Sequence, residues 1–196
     1  MFQEPKTRAD STTRTQLTPG DWIEAATEVL VNQSIDAVRV DVLAKGLKVT
    51  RGSFYWHFQD RDDLLRKMLT SWRDGATEQL IQRFESSNAT PETLIHELAA
   101  LPFRGKSAVR SASIELAIRA WARRDEMARH YVDEVDTKRL AYITHCFVAL
   151  GKSIAESTRY AFLLYSYMIG ESLLANQGSA SEREQRCLFV KALLTA

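Results

Sequence analysis

Apolar side chains recur every three or four residues through most of this 196-residue chain. That interval is the repeat of one face of an α-helix, whereas a half-buried strand alternates apolar and polar residues. No segment alternates over the length of a strand, and the sequence has no internal repeat. The pattern therefore predicts an all-α protein with about nine helices.

Residues with helix-capping side chains stand where these periodic segments begin. Thr18, Pro19 and Asp21 have the order of a capping box that leads into a first helix. The helix that begins after Asp60 carries an apolar stripe and is expected to reach about Ser86. Further helix starts are predicted at or near Val40, Thr50, Thr90, Ser107, Asp125, Ser153 and Ser181.

Two of the predicted helices are short and adjacent. The second covers Val40–Leu47 and the third covers 50–58, so that Lys48 and Val49 leave only a tight turn between them. Two short helices joined in this way after a first helix form a helix-turn-helix, in which the last helix enters the major groove of DNA. The N-terminal part of the chain is therefore predicted to be a DNA-binding domain.

The third predicted helix has a divided surface. Phe54 and Phe58 lie four residues apart and face the same core. Gly52 costs the helix about 1 kcal/mol relative to alanine, which indicates that the backbone there approaches another molecule closely. The other positions carry flat or hydrogen-bonding side chains, unlike an ordinary solvent-exposed face. They are Thr50, Arg51, Ser53, Tyr55, Trp56 and His57.

Positive charge is concentrated around this helix, although the net formal charge of the whole chain is only +1. Residues 39–57 hold four cations against the single anion Asp41. Clustered cations of this kind suit contact with phosphates. Two interpretations remain open at this point: Arg51 contacts either a guanine edge or only a phosphate, and Trp56 either meets DNA or braces the helix against its neighbours.

Three consecutive segments of the sequence carry a family resemblance. They are Val38–Ala44, Val49–Phe58 and Asp60–Leu65. Together with the first helix they resemble the DNA-binding domain of the tetracycline-repressor (TetR) family, from about Leu17 to Trp72. The remaining two-thirds of the chain resembles that family only in the number and length of its helices.

The resemblance implies a set of DNA contacts and a mode of action. Arg39 and Arg61 are expected to contact phosphates beside the operator bases, and Gly52 allows close approach. Family members bind double-stranded operator DNA as homodimers, usually as repressors that a small-molecule ligand releases. The recognition helix is expected to contact the operator through Thr50, Arg51, Ser53, Tyr55, Trp56 and His57.

Two residues depart from the family pattern. Lys48 and Ser34 stand where the family usually has glycine, in the turn of the helix-turn-helix and at the end of the first helix. Lys48 is expected to adopt a positive φ with a small strain. It also adds a cation at the DNA edge, and it is therefore counted among the predicted DNA contacts.

The second part of the chain contains aromatic residues with polar tips, which suit a pocket for a flat or amphipathic molecule. The family resemblance favours such a pocket, while plain core packing is the competing interpretation for each residue taken alone. The candidate ligand-binding residues are Phe103, Arg119, Trp121, Met127, Tyr131, Tyr142, Cys146, Phe162 and Tyr165.

The segment 153–176 is apolar on more than one face, and a helix of that kind must be buried nearly all round. An outermost helix of a chain this size achieves such burial only against another subunit. With the 181–195 helix beside it, the segment predicts a four-helix interface between two copies of the chain, related by twofold symmetry.

Composition excludes several other functions. Apolar runs stay far below the roughly 18–20 residues of a membrane span, and the N-terminus lacks a secretory signal. Cys146 and Cys187 are expected to be buried thiols in a reducing cytoplasm. The pair His96 and Glu97 lacks the second histidine of a zinc-protease motif. We therefore predict no metal, no cofactor, no membrane contact and no enzymatic activity.

The predicted organisation is a flexible arm over 1–17, a DNA-binding domain over 18–59 and a ligand-binding and dimerisation domain over 60–196. Arg8 and Arg14 in the arm either enter a minor groove or add salt-dependent affinity.

The function that follows is a cytoplasmic, sequence-specific transcriptional regulator, released from its operator by an unidentified small-molecule inducer. Two alternatives remain: a helix-turn-helix fold kept as a partner-binding or ligand-sink module, and a DNA binder without an inducer.

Overall fold

Helices are the only regular secondary structure in the part of the chain that the computed structural model describes, residues 17–174 and 177–195. α4 and α5 continue one another through a π-turn, so the described residues form nine helical segments, and the predicted class and number are confirmed. The helices are α1 (Pro19–Asn32), α2 (Val40–Gly46), α3 (Arg51–Tyr55), α4 (Arg61–Arg73), α5 (Gln79–Glu85), α6 (Pro91–Ala100), α7 (Gly105–Ala122), α8 (Glu126–Ala149), α9 (Ile154–Leu173) and α10 (Ala180–Thr195).

Two predicted features fall outside the described residues. The N-terminal arm, with Arg8 and Arg14, lies there except for Leu17. So do the last two residues of the helix that was predicted over 153–176.

The helix starts follow the predicted caps closely. Thr18 and Asp21 form the full capping box ahead of α1, in which the Thr18 amide donates to the Asp21 carboxylate at 2.6 Å. The Asp60 carboxylate accepts a hydrogen bond from the Asp63 amide at 2.7 Å ahead of α4. Ser153 and Glu156 form a second full capping box ahead of α9. These caps are local in sequence, and sequence alone therefore identified the starts of the helices.

Two boundaries were predicted wrongly. α3 ends at Tyr55, three residues before Phe58, and the chain continues in a tighter turn, in which the His57 amide donates to the Phe54 carbonyl at 3.0 Å. The cap of α10 involves Ser179 and Glu182, whereas the sequence pattern indicated Ser181 and Glu184. The Ser179 amide donates to the Glu182 carboxylate at 2.6 Å, directly after Gly178 turns the chain with a φ of +86°.

A π-turn at Asp74–Glu78 interrupts the helix that was predicted to run unbroken from 61 to 86. Arg139 of α8 reaches this turn and donates one hydrogen bond to the Ala76 carbonyl and another to the Thr77 hydroxyl, both at 3.3 Å. A π-turn rearranges the helical ladder of hydrogen bonds, and such turns frequently occur at functional sites. The turn therefore has a hydrogen-bond partner 62 to 63 residues away, which local sequence does not reveal.

Two apolar cores hold the helices together. The first contains Trp22, Phe54 and Leu64 of the helix-turn-helix region, and α7 and α8 contribute Trp121 and Val132 to it. The second lies among α5, α6, α8, α9 and α10. Because the first core includes residues on both sides of residue 60, α1 packs directly on α7, and α4 packs on α8.

Candidate nucleic-acid interface and ligand cavity

Two phenylalanines anchor α3 to the first core. Phe54 is fully buried and Phe58 nearly so, and their rings stack with centroids 5.1 Å apart. The ring of Trp22 on α1 meets Phe54 edge-on at 5.3 Å. The inward face predicted from the four-residue spacing is confirmed, and it fixes which side of α3 points outward.

The outward side of α3 carries large exposed rings. Trp56 is 86% exposed and Tyr55 is 55% exposed. Thr50 and Arg51 are also exposed, while Ser53 and His57 of the same segment are partly buried. Since its ring lies in solvent, Trp56 does not brace α3 against neighbouring helices, and that interpretation is wrong.

Intramolecular packing does not explain Gly52. A Cβ atom at this position would meet the Thr50 hydroxyl at 3.7 Å, an ordinary van der Waals distance. Thr50 is the N-cap residue of α3, yet its side chain makes no capping hydrogen bond. The start of α3 thus presents a bare backbone and a hydroxyl group that is not used for capping.

Three exposed cations border α3 without a carboxylate partner among the described ion pairs: Lys45, Lys48 and Arg51. Arg39 differs, because its guanidinium pairs with Asp41 at 2.9 Å. That pair is exposed, and exposed pairs contribute at most about 1 kcal/mol. The surface around α3 is therefore positively charged.

Arg61, a predicted phosphate contact, has structural partners. Its Nε donates to the Val38 carbonyl at 2.6 Å and its Nη2 donates to the Ile35 carbonyl at 2.7 Å. These bonds attach the loop between α1 and α2 to the start of α4. The side chain holds the helix-turn-helix together, a role that its sequence position did not reveal.

Lys48 adopts the positive φ predicted for it, +57°. It is the only non-glycine residue of the described chain in that region. The turn is closed by the Val49 amide, which donates to the Ala44 carbonyl at 3.0 Å. A side chain in the left-handed conformation costs about 1 kcal/mol or more, so the chain retains lysine here despite a cost in stability.

A cavity of about 600 Å³ lies beneath the helix-turn-helix, between α1, α4, α5, α6, α7, α8 and α9. Most of its lining is apolar, as in the side chains of Trp72, Leu80, Ile118 and Met168. This volume is typical of sites for small organic molecules. Since α1 contributes to the walls, the cavity borders the first helix of the predicted DNA-binding domain directly.

One wall of the cavity is polar and consists of an ion cluster, of which Glu115, Arg139 and Tyr165 line the space. Glu115 accepts hydrogen bonds from Arg119 and Arg139, each at 2.9 Å. Asp136 accepts one from Arg119 at 2.5 Å and one from the Tyr165 hydroxyl at 2.6 Å. Both arginines also donate to the Tyr165 oxygen, at 2.8 and 3.1 Å. The cluster therefore satisfies its own charges.

Burial and charge pairing shift the pKa values of three groups in this cluster. Burial would lower the pKa of Arg139, but the Glu115 carboxylate and the Tyr165 hydroxyl together outweigh burial and the pKa is raised. Burial would raise the pKa of Asp136, but hydrogen bonds from Arg119 and Tyr165 lower it. Burial raises the pKa of Tyr165. The wall thus holds two cations, two anions and a neutral hydroxyl.

Of the predicted ligand-binding residues, Tyr142 and Tyr165 line this cavity. Sequence reasoning missed Glu115 and Arg139, since their only local signal is the spacing of Glu115 and Arg119, a common pair on helix surfaces. The other candidates lie off the cavity wall, in the two cores, in the ion cluster or on the surface. They are Phe103, Arg119, Trp121, Met127, Tyr131, Cys146 and Phe162.

The outer face of α9 and α10 is apolar and exposed. Phe162 is 66% exposed and Phe189 is 68% exposed. Soluble chains rarely expose large contiguous apolar patches unless another molecule covers them. Further exposed aliphatic residues on these two helices are Ile154, Leu163, Leu173, Leu188 and Leu193.

No helix among the described residues combines the length and apolar character needed to cross a bilayer. Within the same residues, histidine, cysteine, aspartate and glutamate side chains nowhere gather in threes around a potential metal position.

Comparison with known proteins matches residues 23–68 to the model of the bacterial regulatory proteins of the tetR family. Two curated regulators of the helix-turn-helix type from Pseudomonas putida, SrpR and the uncharacterized TtgW, are each 41% identical over 49 residues. These matches cover 25% of the chain, 23% of SrpR and 37% of TtgW. The chain thus spans well under half the length of the curated relatives it matches.

Solved structures extend the likeness to the whole fold. A protein assigned to the TetR family from Rhodococcus sp. superposes with a TM-score of 0.75 at 18% identity, over 91% of this chain and 98% of that one. The transcriptional regulator FadR from Bacillus subtilis, solved with stearoyl-CoA, superposes with a TM-score of 0.65 at 16% identity, over 91% and 98%. At these identities the likeness shows a shared fold.

Proposed function

We propose that the chain is a regulator of the tetR type, the family whose model its residues 23–68 match, and that it is a repressor that binds a specific operator and is released by a small molecule. The fold and family are those of transcriptional regulators, and we infer no catalytic role. The observation that carries the proposal is the divided surface of α3, with Phe54 and Phe58 buried and Tyr55 and Trp56 exposed among free cations.

Operator recognition is assigned to the outward side of α3. In this proposal Arg51 pairs with a guanine edge, while Thr50, Ser53, Tyr55, Trp56 and His57 contact bases or phosphates. Lys48 and Arg39 add phosphate contacts beside α3. Arg61 donates to the loop through Nε and Nη2, so that only its Nη1 is available for a phosphate contact. Gly52 brings the backbone close to the DNA. Phosphate contacts make affinity fall as salt rises.

We infer that the active species is a homodimer joined through the outer faces of α9 and α10. Covering these faces with a second copy would remove the exposed Phe162 and Phe189 from water, and a twofold axis lets the same patch serve both subunits. Two recognition helices separated by about 34–36 Å would then fit successive major grooves on one side of the DNA.

Release is assigned to the cavity. A ligand between α1, α7 and the π-turn would displace helices that support α3. Occupancy of the cavity would therefore change the distance between the two α3 helices of the dimer. We infer that the helical segment over 61–85 tilts and that the two recognition helices separate. A coupling free energy of about 1–3 kcal/mol is enough to change operator occupancy many-fold.

The experiment is a gel-shift titration with DNA from the promoter beside the protein's own gene. Arg51→Ala and Tyr55→Ala are each expected to weaken binding about tenfold or more, since a good base contact is worth about 1–3 kcal/mol. Arg129→Ala removes another exposed arginine, on α8 and away from the cavity lining, and is the matched control expected to keep wild-type affinity. Unchanged affinity in both α3 variants would contradict the assignment of α3.

The same titration separates the alternatives. A partner-binding or ligand-sink module would bind no promoter DNA, and the α3 variants would change nothing. A DNA binder without an inducer would bind the promoter through α3, and its affinity for the promoter would not change when molecules that occupy the cavity are added.

A further inference from the structure

We propose that the cavity selects an uncharged, largely apolar ligand, and that Glu115 sets this selectivity by keeping the polar wall electrically balanced. The inference rests on the proposed function, in which this cavity holds the releasing molecule. It names the chemical class of that molecule and the residue that determines it.

The walls of the cavity define the body of the ligand. Side chains from seven helices and the π-turn line it, and away from the ion cluster most of the buried ones are aliphatic or aromatic, such as Leu98, Ile118 and Ile143. The two buried threonines of the lining already have hydrogen-bond partners: Thr27 donates to the Ile23 carbonyl and Thr77 accepts from Arg139. Apolar area removed from water contributes about 25 cal/mol per Å². A molecule that fills this space therefore gains most of its binding free energy from hydrocarbon.

The ion cluster excludes charge from the interior. Glu115 faces the arginines 119 and 139, and Asp136 faces Arg119, so the four formal charges cancel. The Tyr165 hydroxyl already donates to Asp136 and accepts from both arginines. A buried ligand charge would find no free counter-ion and would lose its hydration, which is costly in a protein interior. An uncharged hydroxyl or carbonyl group of the ligand can form hydrogen bonds with the cavity-facing atoms of Glu115, Arg139 and Tyr165, and its desolvation costs far less free energy than that of an ion.

The other charged lining residues are exposed and lie at the opening. Glu24 pairs with Arg110, and Arg104 pairs with Glu97 at 3.2 Å. Arg83 has no carboxylate within ion-pair distance among the described residues, and its guanidinium lies 5.5 Å from the centroid of the Phe84 ring. Arg83 is therefore the residue that would pair with an anionic head group at the opening, and an anionic amphiphile is the competing ligand class.

Three probes with the same hydrocarbon chain and different heads distinguish these classes: 1-decanol, decanoate and decylammonium. Calorimetric titration of the full-length protein, below the micelle-forming concentration of each probe, is expected to give decanol at least tenfold tighter binding than the two ions. Tighter binding of decanoate, lost in Arg83→Gln, would overturn the proposal in favour of an anionic ligand. Tighter binding of decylammonium, or no binding of decanol, would also overturn it.

Glu115→Gln tests the residue that sets the selectivity. It removes one negative charge from the wall at nearly constant shape, and the affinity ratio of decanoate to decanol is expected to rise at least tenfold. The matched control is Glu134→Gln on α8. Glu134 pairs with Arg73 and Lys138 but does not line the cavity, so the ratio should stay unchanged. A folded Glu115→Gln protein with the wild-type ratio would contradict the proposal.

Two further measurements keep the outcomes separate. If Glu115→Gln does not fold, Asp136→Asn removes a negative charge from the same cluster and is expected to shift the ratio in the same direction. Promoter binding with and without decanol is followed by fluorescence anisotropy. If decanol binds the cavity without releasing DNA, the proposed release is contradicted and the proposed ligand class is retained. If an ion binds more tightly than decanol and releases DNA, the proposed ligand class is contradicted and the proposed release is retained.

Discussion

The outward side of α3 and the outer face of α9 and α10 both expose large apolar side chains, yet their chemistry differs. On α3 the exposed rings of Tyr55 and Trp56 carry hydrogen-bonding atoms, and the turn before this helix carries the exposed cation of Lys48. On α9 and α10 the large exposed apolar residues are aliphatic or, like Phe162 and Phe189, have no polar atom in the side chain. Exposure alone therefore does not identify a partner. Phosphates and base edges suit the first surface, and an identical apolar face suits the second.

The largest effect is expected on the α9 and α10 face. Phe189→Glu places two charges in the proposed interface, one from each subunit, and should raise the dimer dissociation constant at least 100-fold. Analytical ultracentrifugation at micromolar concentration measures this. Val109→Glu is the control, because Val109 on α7 is 58% exposed but lies off this face. A wild-type protein that is monomeric at that concentration, or a dimeric Phe189→Glu protein, would contradict the assignment.

A smaller effect is expected where the α3 backbone meets DNA. Gly52→Ala adds a Cβ that the protein itself accommodates, so the free energy of unfolding should rise by up to about 1 kcal/mol from helix propensity. Operator affinity should nevertheless fall about tenfold, because the Cβ occupies space that DNA needs. Chemical denaturation and a promoter titration measure the two quantities. Gly20→Ala is the matched control, because Gly20 follows the N-cap Thr18 of α1 as Gly52 follows Thr50, and its added Cβ would meet the Thr18 hydroxyl at 3.5 Å. It should leave operator affinity unaffected; equal affinity in both variants counts against close approach at Gly52.

The smallest effect is expected at the turn before α3. The left-handed conformation of Lys48 costs about 1 kcal/mol, and Lys48→Gly removes that strain. Because glycine loses more chain entropy on folding, the two effects offset one another and the free energy of unfolding should hardly change. Loss of one phosphate contact should reduce the slope of log affinity against log salt by about 1. Promoter titrations at several salt concentrations measure the slope, and Lys48→Asn should give the same reduction. An unaltered slope in both variants would place Lys48 away from the phosphates.

The helix-turn-helix was predictable because its determinants are close together in sequence. The Thr18 and Asp60 caps, the four-residue spacing of Phe54 and Phe58, and the positive φ of Lys48 all depend on neighbours within a few residues. The same local patterns indicated the helical class of the whole chain.

The cavity was not predictable, because its walls combine residues that are distant in sequence. Glu115 and Arg139 are 24 positions apart, and the π-turn residues to which Arg139 donates lie 62 and 63 positions before Arg139. Periodicity marks an aromatic residue as inward-facing but does not tell which inward-facing residues border a space. Tyr142 borders the cavity, for example, whereas Trp121 packs in the first core.

Hydroxyl-radical footprinting of the protein, quantified residue by residue with mass spectrometry, compares the two exposed surfaces in one measurement. Without DNA, Phe162 and Phe189 should already be protected by the second subunit, while Tyr55 and Trp56 should be oxidised rapidly. Adding promoter DNA should protect Tyr55 and Trp56 at least fivefold and leave the two phenylalanines unchanged. Continued oxidation of Tyr55 and Trp56 in a saturated DNA complex would contradict the assignment of α3 to DNA.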